Sequence, residues 1–375
     1  MTLRIVLFFV VLIWPAITLG FDYNFEGRTR IGGTLTFEPP DNFSHTDREA
    51  ELRIGVLGTA VESEEWVLDY EIIGDIRHEG GALEQAGIGE EIEADFFRAW
   101  ARIDRGNVKL RGGRQQILFG SGMLFRPLGF FDGRVISGII PQTFGADGIR
   151  GTWFPDDESL VEGWLVPSGI DSRMISGIRG ETQWGMLEVG VAAQYKPVSN
   201  KSFLPNFNLE LAQFGFHFKG EKVVGFWNES RIDVEQGGRG SPLRLHSVFG
   251  MDYTFDVGEG LHALIEYSLI TEEAAFTRTD FLQGDQTLHQ LGIQLDQPVG
   301  ISTVWRMFMF FDLVDRSFQL VPQVEYALTE TTFLYLQAQI GGNIEGNERN
   351  GRLFRKTPIP NGGESKIGMT LITFF

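Results

Sequence analysis

The sequence predicts an all-β chain: a closed, transmembrane, up-and-down antiparallel β-barrel of about 18 strands, with its third long loop folded inward. Three observations carry this. From Phe21 to Phe375 apolar and polar side chains alternate in long runs. Tight and extended links between those runs alternate as well. The first twenty residues have the layout of an export signal.

The alternation is strand periodicity. In the run 260–272, Leu261, Ala263, Ile265, Tyr267 and Leu269 share one face, and His262, Glu266 and Ser268 the other. In 301–312, Thr303, Trp305, Met307, Met309 and Phe311 oppose Arg306 and Asp312. Each run is long enough to cross a bilayer as a tilted strand, which takes ~9 to 11 residues, whereas strands of soluble sandwiches average ~5 to 6. Counting from 23–37 through 48–62 and 107–119 to 364–375 gives 18 runs.

The links give the second argument. Ser63-Glu64, Gly106, 155–158, Gly185, Lys219-Gly220 and Gly258-Glu259 are tight hairpins. Between them come 38–47, 79–91, 120–143, 197–206, 273–285 and 346–363. Short turns on one rim and long loops on the other describe an up-and-down membrane barrel, with both termini on the short-turn rim.

The leader, residues 1–20, has one basic residue, Arg4, then an apolar run from Ile5 to Trp14 and a stretch ending Thr18-Leu19-Gly20. That run is far short of the ~20 residues a membrane helix needs, so 1–20 reads as a cleaved signal peptide and 21–375 as the barrel. The chain ends Gly368-Met369-Thr370-Leu371-Ile372-Thr373-Phe374-Phe375, with Ile367, Met369, Leu371 and Phe375 on one face. This terminus resembles the sorting signal of bacterial outer-membrane proteins. The resemblance implies the outer membrane as location, its lipids and lipopolysaccharide as surroundings, and recognition of the Phe375 strand by the barrel assembly machinery.

Composition removes other classes. Without cysteine there is no disulfide scaffold, thiolate nucleophile or Cys-based zinc site. A net charge of -18 argues against a nucleic-acid partner. The six histidines show no metal-ligand spacing, so neither metal nor cofactor is expected.

A barrel of this size leaves a water-filled lumen unless something enters it. The segment 120–143 is the longest and most apolar of the loops, carrying Leu128, Phe130, Phe131, Ile136, Ile139 and Ile140. Hydrating those side chains is costly, and folding the loop into the lumen as a constriction removes the cost. From Arg98 to Arg150 there are nine basic residues against Asp104, Asp132 and Asp147. Alternation sets Arg98, Arg102 and Asp104 opposite Phe97, Ala99, Ala101 and Ile103, and sets Lys109 and Arg111 opposite Val108 and Leu110. Arg114 joins the lining row only if Gly112-Gly113 forms a bulge. With Arg126, Asp132 and Arg134 from the loop, these residues are the expected pore lining. Guanidinium groups in a narrow passage favour anions.

The same segment carries a resemblance. Gly113-Arg114-Gln115-Gln116-Ile117-Leu118-Phe119-Gly120 followed by Phe131-Asp132-Gly133-Arg134 is similar to elements of the alginate-export-like group of outer-membrane porins. The resemblance implies 18 strands and an arginine-lined pore for anionic polysaccharide. The expected function is therefore a passive channel for small hydrophilic, anionic solutes or saccharides, and not an enzyme. The competing readings are a closed structural or adhesion barrel and a barrel lipase or protease, for which Ser268 and His289 are the nearest catalytic candidates by position.

Overall fold

The computed structural model describes residues 22–38, 42–80, 91–132, 138–140, 143–170, 173–199, 208–236, 243–272, 286–314, 316–343 and 365–375. The leader lies outside them. Eighteen strands run in order: β1 (Asp22–Glu38), β2 (Asn42–Glu62), β3 (Val67–Gly80), β4 (Glu91–Arg105), β5 (Val108–Gln115), β6 (Ala146–Trp153), β7 (Ser159–Pro167), β8 (Met174–Trp184), β9 (Leu187–Ser199), β10 (Asn208–Glu221), β11 (Gly225–Gln236), β12 (Leu243–Phe255), β13 (Leu261–Glu272), β14 (Gln286–Val299), β15 (Thr303–Asp312), β16 (Ser317–Ala327), β17 (Thr332–Asn343) and β18 (Ser365–Phe374). Each is antiparallel to the next, and β18 returns to β1, so the sheet is a closed barrel with no free edge. The seam is finished by Gly27 and Phe375, whose backbones exchange hydrogen bonds of 2.7 and 3.0 Å.

Burial follows the period of two but is inverted relative to a soluble protein. One strand after another turns a large apolar residue outward, among them Ile31, Ile103, Leu110, Ile149, Ile178, Phe214, Phe249 and Met369. Trp66, Trp153, Trp184 and Tyr326 add exposed rings close to the short turns. The buried side chains include Arg28, Glu162, Gln194, Asp233, Glu266 and Gln290. An apolar exterior around a polar interior is the pattern of a barrel standing in hydrocarbon, where unpaired polar groups cannot face outward.

Two departures from the alternation read in the sequence have local causes. The register between β3 and β4 slips at Ile73/Gly74, which leaves Phe97 as the extra residue. Phe97 therefore does not oppose Arg98; the Arg53 and Arg98 guanidinium carbons lie 3.4 and 4.0 Å from its ring centre. β5 ends at Gln115 rather than at 119, because Ile117 and Phe119 leave the sheet to be buried with Leu128 and Trp164.

Candidate functional site

The described part of the 120–143 loop lies against the inner wall, held by packing and by two carboxylates. Leu124 and Phe125 bury themselves among Trp227, Val248, Leu264, Phe308, Phe310 and Val321, all on the inward rows of β11 to β16. Leu128 packs with Ile117 and Phe119 against Trp164, Val166, Ile175 and Ala192 on β7 to β9. The wall is shaped to receive them: a Cβ at Gly215 would strike the Leu128 side chain, and one at Gly292 would strike Leu124 and Phe125. Burying each large apolar side chain is worth about 1.5–3 kcal/mol.

A loop that enters a lumen must also satisfy its backbone N–H groups. Glu266 on β13, with no exposed surface, accepts from Met123 N at 2.7 Å, Leu124 N at 2.9 Å, Phe125 N at 2.7 Å and Trp227 Nε1 at 2.7 Å. Glu229 on β11 accepts from Gly122 N at 2.6 Å and from Leu128 N. Arg231 donates to the carbonyl of Pro127. Asp132 closes the loop on itself, accepting from Thr143 Oγ1 at 2.7 Å and pairing with Arg126 at 2.8 Å.

The basic residues then sort into distinct jobs. Arg98 is buried and donates to the carbonyls of Phe97 and Thr143, both at 2.7 Å, so it tethers the returning end of the loop. Arg114 does not join the lining row: the register through Gly112 and Gly113 runs on without a bulge, and Arg114 follows the parity of Val108 and Leu110. Its guanidinium is fixed between Asp95 at 2.6 Å and Asp147 at 2.9 Å. Arg102 pairs with Asp69 at 2.7 Å and Asp104 at 3.2 Å, and Lys109 approaches Asp104 at 3.6 Å. Arg134 lies outside the described residues.

Arg111 is different. It stands directly opposite Arg102 on β4 and directly opposite Arg150 on β6, three arginines in one row across three strands. Arg150 approaches Glu162 at 3.7 Å, which also holds Arg179 of β8 at 3.2 Å. Arg111 lies 4.1 Å from the Trp100 ring centre, and among the described residues it has no carboxylate partner; its Nε is buried without a hydrogen bond. On another side of the loop a cavity of about 470 Å³ is bounded by Arg126, Arg306, Gln294, Gln323, Tyr335 and the loop's Met123 and Ile140.

The catalytic pair suggested by position is not formed. Ser268 faces inward and is fully buried, whereas His289 sits on the outward row and contacts Tyr267 OH at 2.5 Å. Ser268 instead meets His246 at 3.1 Å, and no carboxylate hydrogen-bonds that histidine among the described residues.

No known family profile matches the chain, and no curated protein matches its sequence. Solved structures do match its fold. OccAB1 of Acinetobacter baumannii is similar with a TM-score of 0.60 at 9% identity, covering 94% of this chain and 96% of that one. OccK7 of Pseudomonas aeruginosa matches with a TM-score of 0.55 at 10% identity, covering 94% and 99%. The anion-selective porin of Comamonas acidovorans matches at 0.52 and 10% identity, also covering 94% and 99%. The chain thus has the barrel fold of outer-membrane porins.

Proposed function

We propose that the chain is an outer-membrane porin, a passive channel for small hydrophilic solutes that is narrowed by the 120–143 loop and prefers anions. The observation that carries this reading is the Arg102–Arg111–Arg150 row. Like charges directly opposite in a sheet destabilise it. The wall tolerates three in line and leaves Arg111 without an ion-pair contact among the described residues, Glu71 and Asp104 acting on it only from a distance, an arrangement that offers paired donors to a passing anion. The loop supports the same reading, since it is fastened to the inner wall while a cavity persists beside it. The porin fold of the solved relatives supports the location, with outer-membrane lipid and lipopolysaccharide around the barrel and the C-terminal strand as the element read by the assembly machinery.

For the solute, small anions and single acidic sugars suit the site better than a polysaccharide. The positions that resemble the alginate-export-like porins serve structure here: Gln115 is fully buried and donates to Gly148 O at 3.1 Å, and Asp132 clamps the loop. The serine and histidine singled out by position, Ser268 and His289, stand on opposite faces of the wall and do not meet, which removes the observation that favoured a catalytic role.

The test is single-channel recording of refolded protein in planar bilayers under a KCl gradient. Stable steps with an anion-sign reversal potential are expected, moving toward the cation sign in Arg111→Glu. Cation preference in the unaltered chain, or no steps from a heat-modifiable folded barrel, refutes the proposal.

A further inference from the structure

A second cluster forms on the inner wall, on β8 to β10, joined to the arginine row through Glu162 and Arg179. Glu181 on β8, Glu188 on β9 and His217 on β10 each bring one ligand atom to within 4.8 Å of the other two. The register explains why they meet. Glu181, Gly190 and His217 stand in one row across the three strands, and Glu188 is two residues from Gly190 on the same face. A Cβ at Gly190 would collide with the imidazole, so the glycine is the gap into which the His217 ring leans. Sequence spacing cannot display such a site, because its ligands come from three different strands.

The histidine is held as a ligand would be. It is 4% exposed, and its Nδ1 lies 3.3 Å from Ser121 Oγ on the loop. His217 Nε2 lies 3.5 Å from Glu181 Oε2, and with no ion present Nε2–H donates to that carboxylate; an ion that displaces this proton leaves Nδ1–H to donate to Ser121 Oγ. Two donors that share a tetrahedral ion at ~2.0–2.1 Å stand about 3.4 Å apart, so this pair already has the spacing of co-ligands. One imidazole and two carboxylates make a donor set for zinc-type divalent ions, and a hydrogen bond to the far imidazole nitrogen is the usual orienting contact.

We propose that Glu181, Glu188 and His217 form a site for a divalent transition ion of the zinc class on the lumen wall, with Ser121 of the loop orienting the histidine. Arg179 Nη1 lies 3.0 Å from Glu181 Oε2, so the ion competes with a guanidinium that can retreat to Glu162. The site is therefore weaker than a structural zinc centre and exchanges with the solution.

The experiment is Co²⁺ titration of the folded, untagged, full-length barrel followed by visible absorption, with Zn²⁺ displacement measured calorimetrically. One equivalent of Zn²⁺ is expected. Glu188→Gln and His217→Gln, each checked for a heat-modifiable barrel, should weaken binding at least tenfold, and Ser121→Ala should weaken it about tenfold. Arg179→Gln should tighten it, a result that damage to the wall would not produce. Failure of the unaltered chain to bind Zn²⁺, or unaltered affinity in either ligand variant, overturns the three-ligand site.

Discussion

Replacing Glu266 by Gln changes one atom and tests how the loop is held. The two carboxylate oxygens divide four donors: Oε1 takes Met123 N and Trp227 Nε1, and Oε2 takes Leu124 N and Phe125 N. An amide keeps one acceptor oxygen, so in either orientation two donors lose their acceptor and face an NH2 group instead. Hydrogen bonds to a charged group are worth about 1.5–3 kcal/mol each, and because Trp227 belongs to the wall the docked loop itself loses one or two of them, roughly 1.5–6 kcal/mol. At about 1.4 kcal/mol per tenfold, the docked loop is disfavoured by a factor of about 10 to 10⁴ relative to the unaltered chain. The Glu229 contacts and the Leu124, Phe125 and Leu128 packing remain, so the loop is expected to fluctuate rather than leave permanently. Single-channel recordings should show a larger mean conductance with added open-channel noise, and limited proteolysis should cut near 122–128 while the barrel itself stays heat-modifiable. Conductance, noise and protease resistance identical to those of the unaltered chain would refute the claim that this carboxylate latches the loop.

Raising the salt should erode anion preference, because the screening length falls from about 30 Å at 0.01 M to about 3 Å at 1 M; reversal potentials measured across that range check it. Gly215→Ala should displace Leu128 and raise channel noise, and adding Leu128→Ala should restore part of the quiet state by vacating the contested space. Trp164→Ala removes a buried ring that also donates to Gln194 Oε1 at 2.9 Å, and a loss of about 3–5 kcal/mol should lower the temperature at which the folded band disappears on a gel.

The sequence displays the barrel well because lipid and lumen impose opposite demands on neighbouring residues, and the period of two records both. Ile265 and Glu266 are adjacent and land on opposite faces as the alternation requires. The lining residues are less legible. Alternation puts Arg102 and Arg111 on polar rows, and the register sets them opposite each other, but alternation cannot show that Arg102 has ion-pair contacts and that Arg111 has none among the described residues. Arg114 escapes because a glycine pair that allows a bulge does not compel one; Gly113 instead takes a φ of +116° where β5 crowds the Ala99 carbonyl. The part played by Glu229 and Glu266 has no local signal, since each is one acidic residue on a polar row and its partners lie far away in the chain.

That distance bears on how the molecule is made. Glu229 is 107 residues from Gly122, Glu266 is 143 residues from Met123, and the first strand cannot be sealed until the last one reaches it. The loop segment is therefore made before the strands that receive it exist. During that interval Leu124, Phe125 and Leu128 are as exposed as any unfolded hydrophobic stretch and open to association. Docking of the loop is a late event in folding, and the lumen acquires its final bore only after the wall is nearly complete.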